Sequence, residues 1–438
     1  MTDDGKQQTA ALSPYPGGRM RTRDLVAISA LWFGINYHWG SLLLVIVPSQ
    51  IKRMTDDPAL YQGILVGVGA LFALSVPLLA GALSDRCTAK LGRRRPFLLA
   101  GTALNVAGLA VFWAAGRQQT FAAYLAAYIV VQIGNNIASG AYNGLIPDLA
   151  PPGQRGEASG WMAAMTQFGT ILGAFFSGML MSEGHALASY ALIAVALVIS
   201  LAVTAAGSPE QPLAVQPGPW NWRGFFASLW VDPRRYPDFA WVWVTRFFVT
   251  MGMWSVQPFL QYYVADVAGV ADAERTVAIL FPIILVTATI TGVTGGRLSD
   301  RVGRKRIVYF ANGVIAAVSV GFLFARSLNT VYLLGLLYGI GYGAYYSVDW
   351  ALAIDVLPDR LNAGKHMAVW HIALTLPQSL AAPVGGMVLG AFGHTRAPGP
   401  EGVMVTSYPL EGYTALLCMA AFFLILGALL LRNVRGVR

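Results

Sequence analysis

Two short basic stretches constrain this chain more than any other feature. GALSDRCTAKLGRRRPF, from Gly81 to Phe97, leaves an apolar run and packs five cationic side chains into ten residues; GRLSDRVGRKR repeats its outline from Gly296 to Arg306. Each copy follows a hydrophobic segment of spanning length and precedes another. A loop so short and so basic between two such segments reads as a turn between membrane helices, on the face where Lys and Arg accumulate. Its recurrence makes the chain two related halves.

With 56% hydrophobic and only 12% charged residues over 438 positions, the chain has too little polar surface for a soluble fold of its size. Apolar stretches of about twenty residues, the length a helix needs to cross the hydrocarbon, recur twelve times, six on each side of a polar segment. Strict alternation is absent, which argues against a membrane barrel. The expected fold is an all-α membrane protein with twelve transmembrane helices: a six-helix bundle over 1–207, a cytoplasmic linker over 208–237 and a second bundle over 238–438.

The net charge of +9 does not point to nucleic acid, because its distribution follows topology. With both termini cytoplasmic, 23 of the 30 Lys and Arg lie inside, 6 outside and Arg246 within a helix, as the positive-inside rule requires. The polar first 23 residues show no cleavage pattern, so the first helix is expected to act as an uncleaved insertion signal in the plasma (inner) membrane. Cys87 and Cys418 sit in a loop and in the last helix, so no disulfide framework is expected. The partners expected are the lipid bilayer, a small solute and a proton or other cation, with the chain a monomer.

The loop pattern, Gly-x-Leu-Ser-Asp-Arg followed by Gly-Arg-Arg or Gly-Arg-Lys, resembles the signature of the major facilitator superfamily of transporters. That resemblance implies a cytoplasmic gate of Asp85, Arg93 and Asp148, with Asp300, Arg304 and Asp355 as its counterpart. In the first copy five residues, Cys87 to Leu91, separate Arg86 from Gly92, where the second has only Val302. SDRCTAKLGRRRPF, together with QIGNNIASGAYNGLIPDL from Gln132 to Leu149, is similar to sucrose–proton symporters and the glycoside and hexuronide cation symporter group. Where those carriers place a proton-carrying Asp and a substrate-binding Arg, this chain has Gln132 and Asn143. Neither can titrate or hold charge.

The polar residues inside the apolar segments are the candidate site. The first span, about Asp24 to Val47, holds Asn36, Tyr37 and His38. The fourth carries Gln132, Asn135 or Asn136, Ser139 and Asn143 at helical spacing, a stripe that must meet other polar groups or water. The seventh, about Pro237 to Val264, carries Arg246, Trp254, Gln257 and Gln261; the tenth carries Tyr338, Tyr342, Tyr345 or Tyr346 and Asp349, and the eleventh His371, Thr375 and Gln378. The expected substrate contacts are Asn36, Gln132, Asn136, Asn143, Trp254, Gln257, Gln261, Trp350 and Gln378. Amides donate and accept while rings cover apolar sugar faces. An isolated carboxylate at that depth is costly when charged, so Asp349 needs a partner, and Arg246 with auxiliary His371 is the expected coupling group.

No phosphate-cradling loop, metal-ligand spacing or nucleophile motif stands out, so neither an enzyme nor a cofactor is expected. The reading is a secondary transporter of a small polar solute, most simply a sugar or glycoside, working by alternating access with proton coupling. An uncoupled facilitator, an exporter of drugs or amphipathic compounds and a non-transporting sensor are its alternatives.

Overall fold

A computed structural model describes residues 19–151, 154–210, 231–356, 363–398 and 404–435. The apolar runs form long helices: α1 (Thr22–Met54), α2 (Pro58–Asp85), α3 (Arg95–Gln118), α4 (Phe121–Tyr142, extended by Leu145–Leu149), α5 (Arg155–Ser182) and α6 (Ala186–Gly207). In the second half they are α7 (Pro237–Val256, continued by a 3-10 turn and Leu260–Asp266), α8 (Ala273–Val302), α9 (Arg304–Phe322), α10 (Leu328–Asp355), α11 (Ala363–Gly390) and α12 (Leu410–Leu430). Among the described residues, ten of them are long and apolar enough to cross a membrane. The exceptions are α7, interrupted at Val256, and α10, whose sequence is rich in Tyr and Gly.

Local chemistry sets several boundaries. Asp272 accepts a hydrogen bond from Arg275 N and starts α8, while Pro237 opens α7 without wasting a donor. Gly92 and Gly303 both sit at φ +100°, where a side chain would be strained, so each copy of the basic loop turns at its matched glycine. α1 runs past its expected end near Val47 through a π segment, Leu42–Ile46, to Met54. A short hairpin, β1 (Thr395–Pro398) with β2 (Met404–Ser407), joins α11 to α12.

By contacts the chain forms two compact units, 1–46 with 71–219 and 47–70 with 220–438. The boundary cuts α1 and α2 because their adjoining ends are tied to the second unit. Lys52 pairs with Asp266 at 3.3 Å, the Tyr408 hydroxyl donates to Asp57 at 2.6 Å, and Gln62 donates to the Pro258 carbonyl. Residues 211–230 of the linker lie outside the described residues.

The two cores are built alike. In the first unit Leu25, Ile28 and Leu31 of α1 pack with Leu98 of α3, Tyr142 of α4 and Leu201 of α6. In the second, Val242, Val249 and Met253 of α7 pack with Ile315 of α9, Tyr345 of α10 and Leu424 of α12. Each second-half helix stands six places after its counterpart, which is what a duplicated bundle would give. Close packing relies on small residues: a Cβ on Gly101 of α3 would lie 2.5 Å from Ala138 N of α4, and one on Gly134 the same distance from Asn105 N.

Candidate functional site

In the second unit, the cost of burying charge decides the geometry. Arg246 of α7 and Asp349 of α10 are each 3% exposed, and their side chains meet at 3.2 Å between Nη1 and Oδ2. The Tyr345 hydroxyl donates to Oδ1 of the same carboxylate at 3.2 Å. The guanidinium lies over the Trp370 ring of α11, 3.2 Å from its centroid, an attraction that strengthens where water is excluded. A buried pair of this kind contributes little net stability, but loss of either partner strands the other.

Around the pair, α10 presents a column of rings. Tyr338 stacks on Tyr342 with centroids 5.9 Å apart, and Tyr342 lies 4.6 Å from Tyr346; Trp254 of α7 packs against the same cluster. Gln257 and Gln378 are half-buried, whereas Gln261 is buried with Oε1 unbonded among the described residues. A 3-10 turn, Gln257–Phe259, interrupts the α-helical register between Trp254 and Gln261. The side chains of Trp350, His371 and Asp300 lie outside the described residues.

In the first unit the amides of α4 divide into two sets. Gln132 donates to the Tyr128 hydroxyl at 2.8 Å and accepts from Asn136 Nδ2 at 2.8 Å, so these two buried amides bond along their own helix. Asn135 instead reaches α1: its Oδ1 accepts from Trp39 Nε1 at 3.2 Å, and its Nδ2 lies 3.4 Å from Nδ1 of the fully buried His38. Asn143 follows the helix end and is exposed. Asn36 donates to the Trp32 carbonyl at 2.8 Å and to Thr166 of α5 at 3.4 Å.

The basic loops form two ion clusters, one in each unit. In the first, Arg93 pairs with Asp148, its Nε donating at 3.1 Å. Asp85, however, is held by Arg94, which also donates to Asp148 at 3.0 Å and to the Ser84 hydroxyl. Arg94 was not singled out by the motif, yet it reaches both carboxylates. In the second, Arg304 donates to Asp355 at 2.8 Å and to the Ser299 hydroxyl at 2.9 Å. Glu210, in the linker to which sequence assigned no chemistry, accepts from Arg94 N at 2.7 Å and Arg95 N at 3.4 Å. Burial pushes its carboxyl up from the ordinary 4.5, against the pull of those amides and the two arginines. The signal available in sequence was one carboxylate just after a span, on the face that carries the arginines.

Comparison with known proteins agrees with this architecture. The Major Facilitator Superfamily profile matches residues 25–363 and 274–437. The sucrose transport protein SUT5 of Oryza sativa subsp. indica is 23% identical over 87% of this chain and 86% of its own length. The multi-drug resistance efflux pump PmrA of Streptococcus pneumoniae is 22% identical over 83% and 89%. Among solved structures, the nucleoside transporter NupG shares the fold at TM-score 0.67 and 14% identity, over 95% of this chain and all of its own. These three are transporters or pumps, not enzymes. With ten helices fit to cross a membrane and a family match along nearly its whole length, the chain is a multi-pass membrane transporter and belongs to the major facilitator superfamily.

Proposed function

We propose that this transporter carries a small hydroxyl-rich solute, a sugar or glycoside, coupled to protons through Asp349 and Arg246. The observation that carries the coupling is the buried 3.2 Å pair, braced by Tyr345 and Trp370. While Arg246 is near, Asp349 is stable charged; if the transport cycle draws the guanidinium away, the lone carboxylate is costly and takes a proton. A symporter requires that alternation, with His371 as an auxiliary titrating group. The helix that bears the ionisable residue in the sucrose carriers has amides here, so the charge work moves to the second half.

The sugar reading draws support from the named function of the SUT5 relative and from the mix of amides and indoles in the sequence, Asn36, Gln132, Asn136, Asn143, Trp254, Gln257, Gln261, Trp350 and Gln378, which would serve as its substrate contacts. Asp85, Arg93 and Asp148, joined by Arg94, hold the cytoplasmic side closed, with Asp300, Arg304 and Asp355 their counterpart. Both termini are cytoplasmic, in the plasma membrane, by the distribution of Lys and Arg.

The test is uptake into proteoliposomes. Wild-type protein should exchange labelled sucrose or a β-glucoside in counterflow and accumulate it under an inward proton gradient. Asp349→Asn should lose accumulation and keep counterflow; accumulation that survives the substitution overturns the coupling. The efflux-pump relative favours a second reading, proton-driven export, and accumulation of an amphipathic dye but of no sugar would select it.

A further inference from the structure

We propose that the open stripe of α1, Trp32, Asn36 and Trp39, is the sugar-stacking subsite of the first unit. The proposal rests on the sugar reading above and adds to it two residues that polar-residue counting passes over. From Leu31 to Ser41, α1 is buried except at Trp32, Phe33, Asn36 and Trp39. Trp32, Asn36 and Trp39 follow the i, i+4, i+7 spacing of one helical face. Neighbouring helices close the other sides: a Cβ on Gly40 would lie 2.6 Å from the Thr170 carbonyl of α5, and one on Gly34 2.7 Å from Ser200 Oγ of α6. An amide on the open face of a membrane helix cannot look into hydrocarbon without cost, so this face meets water or a polar ligand.

Each of the three side chains is held in place before any ligand arrives. Trp32 leans on Tyr142, ring centroids 5.2 Å apart, and the Tyr142 hydroxyl is tied to the Ile28 carbonyl at 2.7 Å. The Trp39 indole N–H is anchored on Asn135 Oδ1 at 3.2 Å, and His38 meets the ring edge-on at 4.4 Å. Asn36 spends its two donors on Trp32 O and Thr166, which leaves its carbonyl oxygen to accept from a ligand. Two fixed indoles seven residues apart with one free acceptor between them suit a ring with apolar C–H faces and a hydroxyl rim. A pyranoside has that chemistry. His38, buried between Asn135 and α3, acts here as a positioning residue for Trp39, not as a ligand.

The test uses the full chain in proteoliposomes with sucrose and methyl β-glucoside as probes. Trp32→Ala and Trp39→Ala should each raise half-saturation for counterflow about ten-fold, the scale of one lost ring contact. Trp32→Phe should stay within about three-fold, since a ring remains. Independently of transport, Asn36→Cys in a chain with Cys87 and Cys418 replaced by Ser should react with a charged thiol reagent, and either sugar should slow that reaction. Wild-type exchange with half-saturation unchanged in both alanine variants overturns the subsite alone, as does an unreactive Cys at position 36 in a correctly folded variant. Absence of exchange of either sugar by the wild type overturns the sugar reading itself and the subsite with it.

Discussion

The two basic loops carry one motif and build it differently. In the second copy the arginine directly after the turning glycine, Arg304, bonds both Ser299 and the acid at the end of α10, and its side chain is 22% exposed. In the first copy the residue at that register, Arg93, reaches Asp148, while the serine and Asp85 go to Arg94, whose side chain is 5% exposed. The first loop has four more residues than the second, five from Cys87 to Leu91 against the single Val302, and these lengthen the path from Ser84 to the helix start, so the geometry is met one residue later. Arg94 thereby gains a buried position and a third acid nearby, Glu210, at its own backbone N–H. A shared motif therefore fixes the chemistry of a cluster, not which residue serves it.

The widest gap between the loops should appear on removing each central arginine. Arg94→Ala leaves Asp85, Asp148 and Ser84 without their common donor. It should cost about 3 kcal/mol, the low end for breaking a buried pair because Asp85 is half exposed. Arg304→Ala breaks a pair whose acid is 39% exposed and should cost at most about 1 kcal/mol. Unfolding midpoints in detergent, read beside counterflow rates, would show this; equal losses in the two variants would end the distinction. Arg94→Lys should recover little, since an ammonium cannot present the guanidinium fork to two carboxylates and a hydroxyl.

A sharper form of the comparison makes the first loop as short as the second. Deleting Thr88 to Leu91 should pass the central role to Arg93, so that in the shortened chain Arg93→Ala becomes the costly substitution and Arg94→Ala the mild one. In the full-length loop Arg93→Ala, which loses only a half-buried pair with Asp148, should cost about 1 kcal/mol. Continued sensitivity to Arg94→Ala after the deletion would show that side-chain packing, not loop length, chooses the arginine.

Legibility followed the size of the physical penalty. Helices in apolar runs, and the meeting of Arg246 with Asp349, could be read because hydrocarbon leaves backbone and charge so few alternatives. Arg94 could not, since a one-residue shift within three consecutive arginines changes no composition or periodicity. Asn135 and Asn136 are adjacent, and spacing alone does not say that one turns to α1 while the other bonds Gln132. Trp32 and Trp39 were hidden among twelve tryptophans, most of which interfacial belts would account for. The hairpin after α11 lies in a stretch with little strand patterning. The break in α7 had a visible signal in Pro258, whose missing N–H stops an α-helical ladder.

The smallest expected effect concerns Glu210, which the second loop has no described equivalent for. Its carboxyl accepts from two amides at the start of α3, an arrangement that favours the charged form, yet burial dominates and pushes its protonation above 4.5. For a carboxyl whose folded value is raised, the folded state binds the proton more tightly than the unfolded chain does. Its contribution to stability is therefore fully present below the unfolded value and declines as pH rises through the folded one. Glu210→Gln keeps the shape and removes the titration, so the difference in unfolding midpoint between wild type and variant should shift in favour of the variant as pH climbs from about 4 to 7, by a total on the order of 1 kcal/mol or less. A difference that moves the other way would mean that the amides and arginines outweigh burial, and Glu210 would then be a charged cap like any exposed one.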